Sequence, residues 1–171
     1  AYAAGLVRAV HPELELRSSA PQGVDCKEAT VVLSHVLSEM DETALKLVLD
    51  CVGEAQSLLW VESGTHGNAR HLVGEVRERL LERGGWRVVA PCTHCAACPM
   101  LVRGQEQHWC HHFARVPSTV HQDGAWRELS QRLGVDLRVL PYSFLVMERG
   151  MGLPLVSVNA RANAGARADE E

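Results

Sequence analysis

Between Ala29 and Ala90, three apolar, β-rich runs alternate with two stretches of helical periodicity. No other feature restricts the fold of this chain as strongly. Thr30-Val31-Val32-Leu33 is the first run. Asp41 then caps a helix in which Leu45, Val48, Leu49 and Val52 recur at helical spacing. Ser57 to Val61 is the second run, ending in Glu62-Ser63-Gly64-Thr65. Val73, Val76 and Leu80 mark a second helix that Gly84-Gly85 stops, and Trp86 to Ala90 is the third run. Continuous apolar strands need cover on both faces, and amphipathic helices between them supply it. The pattern predicts a β-α-β-α-β parallel unit over residues 29–90, within a doubly wound α/β sheet.

The flanks add less. Tyr2 to Val10 reads as a helix, Leu14-Glu15-Leu16 as a short strand and Ser18 to Asp25 as a loop. Asp123 to Leu133 reads as a helix with Trp126, Leu129 and Leu133 on one face and Gly134 behind it; Tyr142 to Met147 reads as a closing strand. Asn159 to Glu171 holds Ala, Arg, Asn and acids with almost nothing to bury. The expectation is therefore one α/β domain over 1–156 and a disordered tail over 157–171. The chain opens on Ala1 inside an apparent helix, which suggests a fragment or processed product.

No apolar run approaches the roughly 18 residues of a membrane helix, so no membrane partner is expected. Lys plus Arg number 17 against 21 Asp plus Glu, a net charge of −4 that argues against a uniformly basic nucleic-acid binder. Because 15 of those 17 cations are Arg, a local phosphate-binding patch stays open.

Four of the six cysteines, Cys92, Cys95, Cys98 and Cys110, crowd into one segment, while Cys26 and Cys51 stand alone and read as small buried hydrophobes. A disulfide framework would spread its cysteines over a smaller, loop-rich chain. The cluster instead reads as metal or iron–sulfur ligands in a reducing compartment, because thiolates are soft donors for zinc or iron. C-x2-C-x2-C with a distant fourth Cys is closer to a [4Fe–4S] arrangement than to a zinc finger with two separated pairs. Zinc remains the alternative, since His94, His108, His111 and His112 could complete a mixed site. The segment from Pro91 to Pro99 carries little apolar surface, so metal ligation is expected to supply its order.

Ligands of an open parallel sheet gather at the carboxyl ends of its strands. Here those ends are Ser34-His35, Glu62 to Thr65, and Pro91-Cys92. Ser34 and His35 are thus candidates for cofactor binding, with a plain edge histidine as the alternative. Gly64-Thr65-His66-Gly67 could meet an anion or be a simple strand-to-helix turn. His11-Pro12-Glu13 and Pro91 to Cys95 match the zinc-deaminase pattern H-x-E…P-C-x-x-C. Two strand–helix units separate the halves, however, and Cys92 follows a strand, which sets that reading aside.

Val31-Val32-Leu33-Ser34-His35-Val36-Leu37-Ser38-Glu39, Val61 to Thr65, Val89 to His94, Cys98-Pro99 and Trp109-Cys110-His111 follow one another in a telling order. Together they resemble the methyltransferase-like family associated with the small ribosomal subunit, found in mitochondria and many bacteria. The resemblance covers residues 26–149. It implies the C-terminal part of a class I S-adenosylmethionine methyltransferase sheet, Rossmann-type, with a cysteine-rich metal segment at 91–113. It also implies a role in assembling or binding the small subunit and its RNA, in the bacterial cytoplasm or the mitochondrial matrix.

By that resemblance Cys92, Cys98 and Cys110 match family cluster cysteines, whereas the usual fourth lies further toward the C-terminus, where this chain has none. Either Cys95 replaces it or the chain ends before it. His112 is an extra residue against the usual Trp-Cys-His-Phe. The family's cofactor loop is also missing: no G-x-G-x-x-G occurs, and Gly150-Met151-Gly152 follows the last strand. S-adenosylmethionine binding is thus expected only where the upstream elements are present, and no catalytic residue can be assigned. Three functions stay open: an assembly factor gripping RNA, for which Arg103 and Arg115 are either phosphate contacts or solvated charges; an active RNA or protein methyltransferase; and a zinc-stabilised module unrelated to ribosomes.

Overall fold

The computed structural model describes residues 2–16, 24–114 and 116–150. Its elements are α1 (Tyr2–Val10), β1 (Thr30–Ser34), α2 (Glu42–Val52), β2 (Ser57–Ser63), α3 (His66–His71), α4 (Glu78–Glu82), β3 (Trp86–Ala90), β4 (His112–Phe113), α5 (Ser118–Gln122), α6 (Gly124–Leu133) and β5 (Pro141–Arg149). A π-helical stretch, Leu72–Arg77, joins α3 to α4. Asp41 caps α2 through a bond from Ala44 N, and Gly134 closes α6 in the left-handed region at φ 64°.

The first crossover forms as the sequence predicts. β1 lies parallel to β2, with Thr30 opposite Ser57 and Ser34 opposite Val61. The third strand does not join them directly. β5 inserts between β2 and β3, antiparallel to both, giving the order β1-β2-β5-β3 with β4 paired to one end of β5. The sheet is mixed, and the supposed closing strand is its centre. β5 earns that place by its length and composition: it runs nine residues, and its middle, Phe144 to Met147, is apolar toward both faces and needs neighbours on both edges.

The same order also sets where the helices lie. Both helical crossovers step in one direction along the sheet, and right-handed crossovers stepping the same way put their helices on the same face. Leu45, Leu49 and Val52 of α2 therefore share one core with Leu72, Val76 and Leu80, against Leu58, Trp60, Trp86, Leu145 and Met147. Among the described residues the opposite face is partly open, with Val32 61% exposed.

Smaller differences follow. Residues 14–16 form no strand. The apolar stripe of α6 exists, but Trp126, Leu129 and Leu133 are all exposed. Cys26 and Cys51, read as separate hydrophobes, do pack at the core but are joined by a disulfide, their Cα atoms 6.0 Å apart where the entry to β1 meets the end of α2. The tail at 157–171, the boundary at 156, Arg115 and most of the Ser18–Asp25 loop lie outside the described residues. No helix of the described residues is long and apolar enough to cross a membrane.

A chain stopped at Leu140 is expected to lose all cooperative thermal unfolding, because it lacks the strand that joins β2 to β3. Circular dichroism melting would check this; a residual cooperative transition would mean that β5 is only an edge.

Candidate functional site

One side of the helix running from His66 to Glu82 grips the cysteine-rich segment. His66, Arg70, Gly74 and Arg77 fall at helical spacing and share a face. His66 Nε2 donates to the Glu106 carbonyl at 2.7 Å. Arg70 donates to the carbonyls of Met100 and His108 at 2.9 and 3.0 Å, with Gln105 O at 3.5 Å. Gly74 leaves room for Leu101, whose methyl groups lie 3.4 and 3.5 Å from where a Cβ would stand. Arg77, only 2% exposed, donates to the carbonyls of His94 and Ala96 at 3.2 and 2.7 Å and pairs with Glu78. A segment with no regular ladder of its own thus has its carbonyls satisfied by fixed guanidinium donors. The order that the sequence leads one to expect from metal ligation has a source in the arginine grip as well.

A second anchor sits at Gly64, just past β2. Its N–H donates to Pro141 O at 2.9 Å, and its carbonyl accepts from Trp109 Nε1 at 2.9 Å. A Cβ at this position would meet Pro141 and Tyr142 backbone at 2.6 and 2.7 Å, so only glycine fits. Gly64-Thr65 is therefore a tight junction between β2, β5 and the cysteine segment.

The thiols divide into two groups. Cys98 is buried, and Cys92, Cys95 and Cys110 are half-buried. Burial pushes the Cys110 thiol up, and the neighbouring charges of Cys92 and Cys98 push it further. Those three sulfurs share one electrostatic neighbourhood. Cys95 differs in its bonding: its sulfur accepts from Val88 N at 3.5 Å, on the edge strand β3, although it packs against the core as Cys92 does. His112 lies against a thiol, with Nε2 3.6 Å from Cys110 Sγ. As they stand, no three His, Cys, Asp or Glu side chains among the described residues are gathered tightly enough to hold a metal ion. The donor chemistry suits a soft metal; a closed coordination sphere is not formed.

Ser34 and His35 lie exposed at the end of β1, the Ser34 hydroxyl 2.8 Å from His35 Nδ1. His35 has φ 55°, a left-handed conformation that few non-glycine residues adopt. Past that bend, Val36 N and Leu37 N donate to Glu62 Oε1 at 3.0 and 2.9 Å, and Trp60 Nε1 donates at 2.8 Å. Glu62 is 1% exposed and its other oxygen is unpartnered, as is the buried hydroxyl of Ser143, its register partner on β5. Apolar spacing and metal-ligand chemistry single out neither Glu62 nor Arg77 as part of a site. A sequence signal exists for both: Glu62 follows Leu58 and Trp60 at period two, and Arg77 sits four residues after Val73 on an apolar stripe.

The chain matches the pattern of the mitochondrial small ribosomal subunit Rsm22 family over residues 9–132. That span is well over half of the sequence, and the chain belongs to this family. It takes in β1 to β3 and all four clustered cysteines. No curated protein matches the chain.

Arg77→Met is expected to lower stability by about 2–3 kcal/mol, the scale of lost hydrogen bonds from a charged donor. It should also expose residues 94–108 to limited proteolysis. Arg70→Ala should open the same segment with a smaller loss. Equal protease resistance in both variants and in the parent would show that the arginine grip is not what holds the segment.

Proposed function

We propose that this protein is a methyltransferase-like factor that binds or helps assemble the small ribosomal subunit, with its cysteine-rich segment as a metal-supported contact for ribosomal RNA. Membership of the Rsm22 family over residues 9–132 is the observation that carries this reading. The family's description sets its members at the mitochondrial small subunit, so the mitochondrial matrix, or the cytoplasm for a bacterial member, is the proposed location. The sheet supports the class I methyltransferase part. β1, β2 and β3 share one direction with helical crossovers on one face, as half of a doubly wound sheet would.

Cys92, Cys98 and Cys110 are the proposed core of the metal site, supported by their shared electrostatic neighbourhood. Within these residues, Cys95 and the histidines are the candidates for the fourth position, His112 among them. Cys95 completes the set of four sulfurs but would have to leave the Val88 N–H, whereas His112 already touches Cys110. A bound [4Fe–4S] cluster would cross-link the segment; zinc would do the same with mixed donors. The chain's own part is to hold the donors near one another through Arg70 and Arg77.

An enzymatic reading draws on one specific feature, the left-handed His35 beside Ser34 at the sheet's ligand edge. In that reading Ser34 and His35 border the S-adenosylmethionine site. Methyl transfer needs in-line positioning rather than acid–base groups, so the lack of a catalytic triad does not count against it. The glycine loop that would bind the cofactor tightly does not occur in these residues.

Three measurements test these statements. In gradient sedimentation the protein should travel with isolated small subunits and not with large ones; failure to do so removes the ribosomal reading. Purified without oxygen, it should be brown with about four irons, or colourless with zinc. Cys98→Ser should abolish metal content, and comparing Cys95→Ser with His112→Ala identifies the fourth donor as the variant that also loses it. A protein that takes up neither metal ends the metal reading. Calorimetry with the 171-residue chain should detect no tight S-adenosylmethionine binding. A micromolar or tighter constant would place the cofactor site within these residues.

A further inference from the structure

From Trp109 to Phe113 the chain presents its side chains alternately to two sides. Cys110 and His112 share one side, where Nε2 meets Sγ and His112 packs 4.9 Å from the Phe144 ring. Trp109, His111 and Phe113 share the other and form a ladder of rings. His66 to Trp109 is 5.3 Å between centroids, Trp109 to His111 is 5.0 Å, and His111 to Phe113 is 5.4 Å. His66, His111 and Phe113 are exposed, Phe113 at 56%. Trp109 is the fixed rung, half-buried and held by its bond to the Gly64 carbonyl.

We propose that this ladder is a stacking platform for unpaired bases of an RNA strand. It deepens the ribosomal reading above by naming which surface meets RNA and in which form. The outer contacts are edge-on, at 77° for His66–Trp109 and 90° for His111–Phe113. An edge contact leaves ring faces free, and every base offers a matching face regardless of sequence. Two of the four rings are imidazoles with polar edges, which suits a wet nucleotide partner better than an apolar peptide. Bases are free to stack in this way only where the strand is unpaired. Cationic grip contributes little here. Arg70 is committed to carbonyls, and the Glu106 carboxylate accepts from Gly104 N at 3.0 Å. Arg103, exposed on the same turn, has no ion pair among the described residues and is the cation among them left to meet a phosphate. Binding should therefore rest on rings and depend only weakly on salt.

The test is fluorescence anisotropy of the metal-loaded protein with an unstructured single-stranded RNA and with a duplex of the same length. Single strand should bind better, with a slope of log affinity against log salt of about −0.7, as for one neutralised phosphate. Phe113→Ala and His111→Ala should each weaken it about tenfold. Phe113→Trp should restore it, and the two Phe113 variants should keep the parent's metal content and melting temperature. Ring variants that bind as the parent does, a preference for duplex, or a steep salt slope would each overturn the platform. So would no RNA binding by the parent, or loss of binding to an isolated small-subunit protein with RNA binding unchanged. Small-subunit sedimentation separates the two claims: its failure beside ring-dependent RNA binding removes the ribosomal reading and leaves the platform standing.

Discussion

The placement of β5 governs what the remainder of the chain can do. A strand from the far end of the sequence pairs with β2 on one edge and β3 on the other, with Trp60 opposite Leu145 and Val88 opposite Met147. Everything between β3 and β5 then becomes an excursion that leaves one strand and returns to its immediate neighbour. Fixing both ends of a long loop shortens the conformational search of its middle. The cysteine segment is the first part of that excursion, and it leaves at the edge of the sheet where ligands gather.

Within the excursion, order comes from two sources of different kind. The helix face carrying Arg70 and Arg77 binds backbone carbonyls at 94, 96, 100 and 108, a grip that does not depend on which side chains the segment carries. Metal would act through the side chains alone. A segment held through its carbonyls can keep its path while its thiols change state.

Local periodicity makes most of the elements legible in the sequence. β1, α2, β2, the helix over Val73 to Leu80, β3 and α6 all lie where spacing and caps place them. Strand order is not readable in that way, because pairing across the whole chain leaves no short-range trace. The usable trace is indirect: Phe144-Leu145-Val146-Met147 is apolar at every position, which is the composition of an interior strand and not of an edge. Reading by apolar spacing also passes over the polar residues inside a stripe. Glu62 and Arg77 occupy inward positions set by the same periods that name Trp60 and Val73, and burial makes them structural anchors. The four thiols are legible as a cluster. Their division, with Cys95 turned toward β3, is not, because a two-residue gap fixes reach and leaves direction to the fold.

The short stretch from Trp109 to Phe113 joins these threads. A period of two places its sulfur and inner imidazole on one side and its stacked rings on the other. The two sides share a backbone whose register is fixed at one end by Trp109 on Gly64 and at the other by His112 opposite Tyr142. Any change that pulls Cys110 toward a metal must act on that backbone, and the ring side moves with it only as far as the two anchors allow. Because Gly64 admits no side chain and β4 is held by β5, that allowance is small. The ring surface is therefore set by the fold, and metal on the other side can tighten it without creating it.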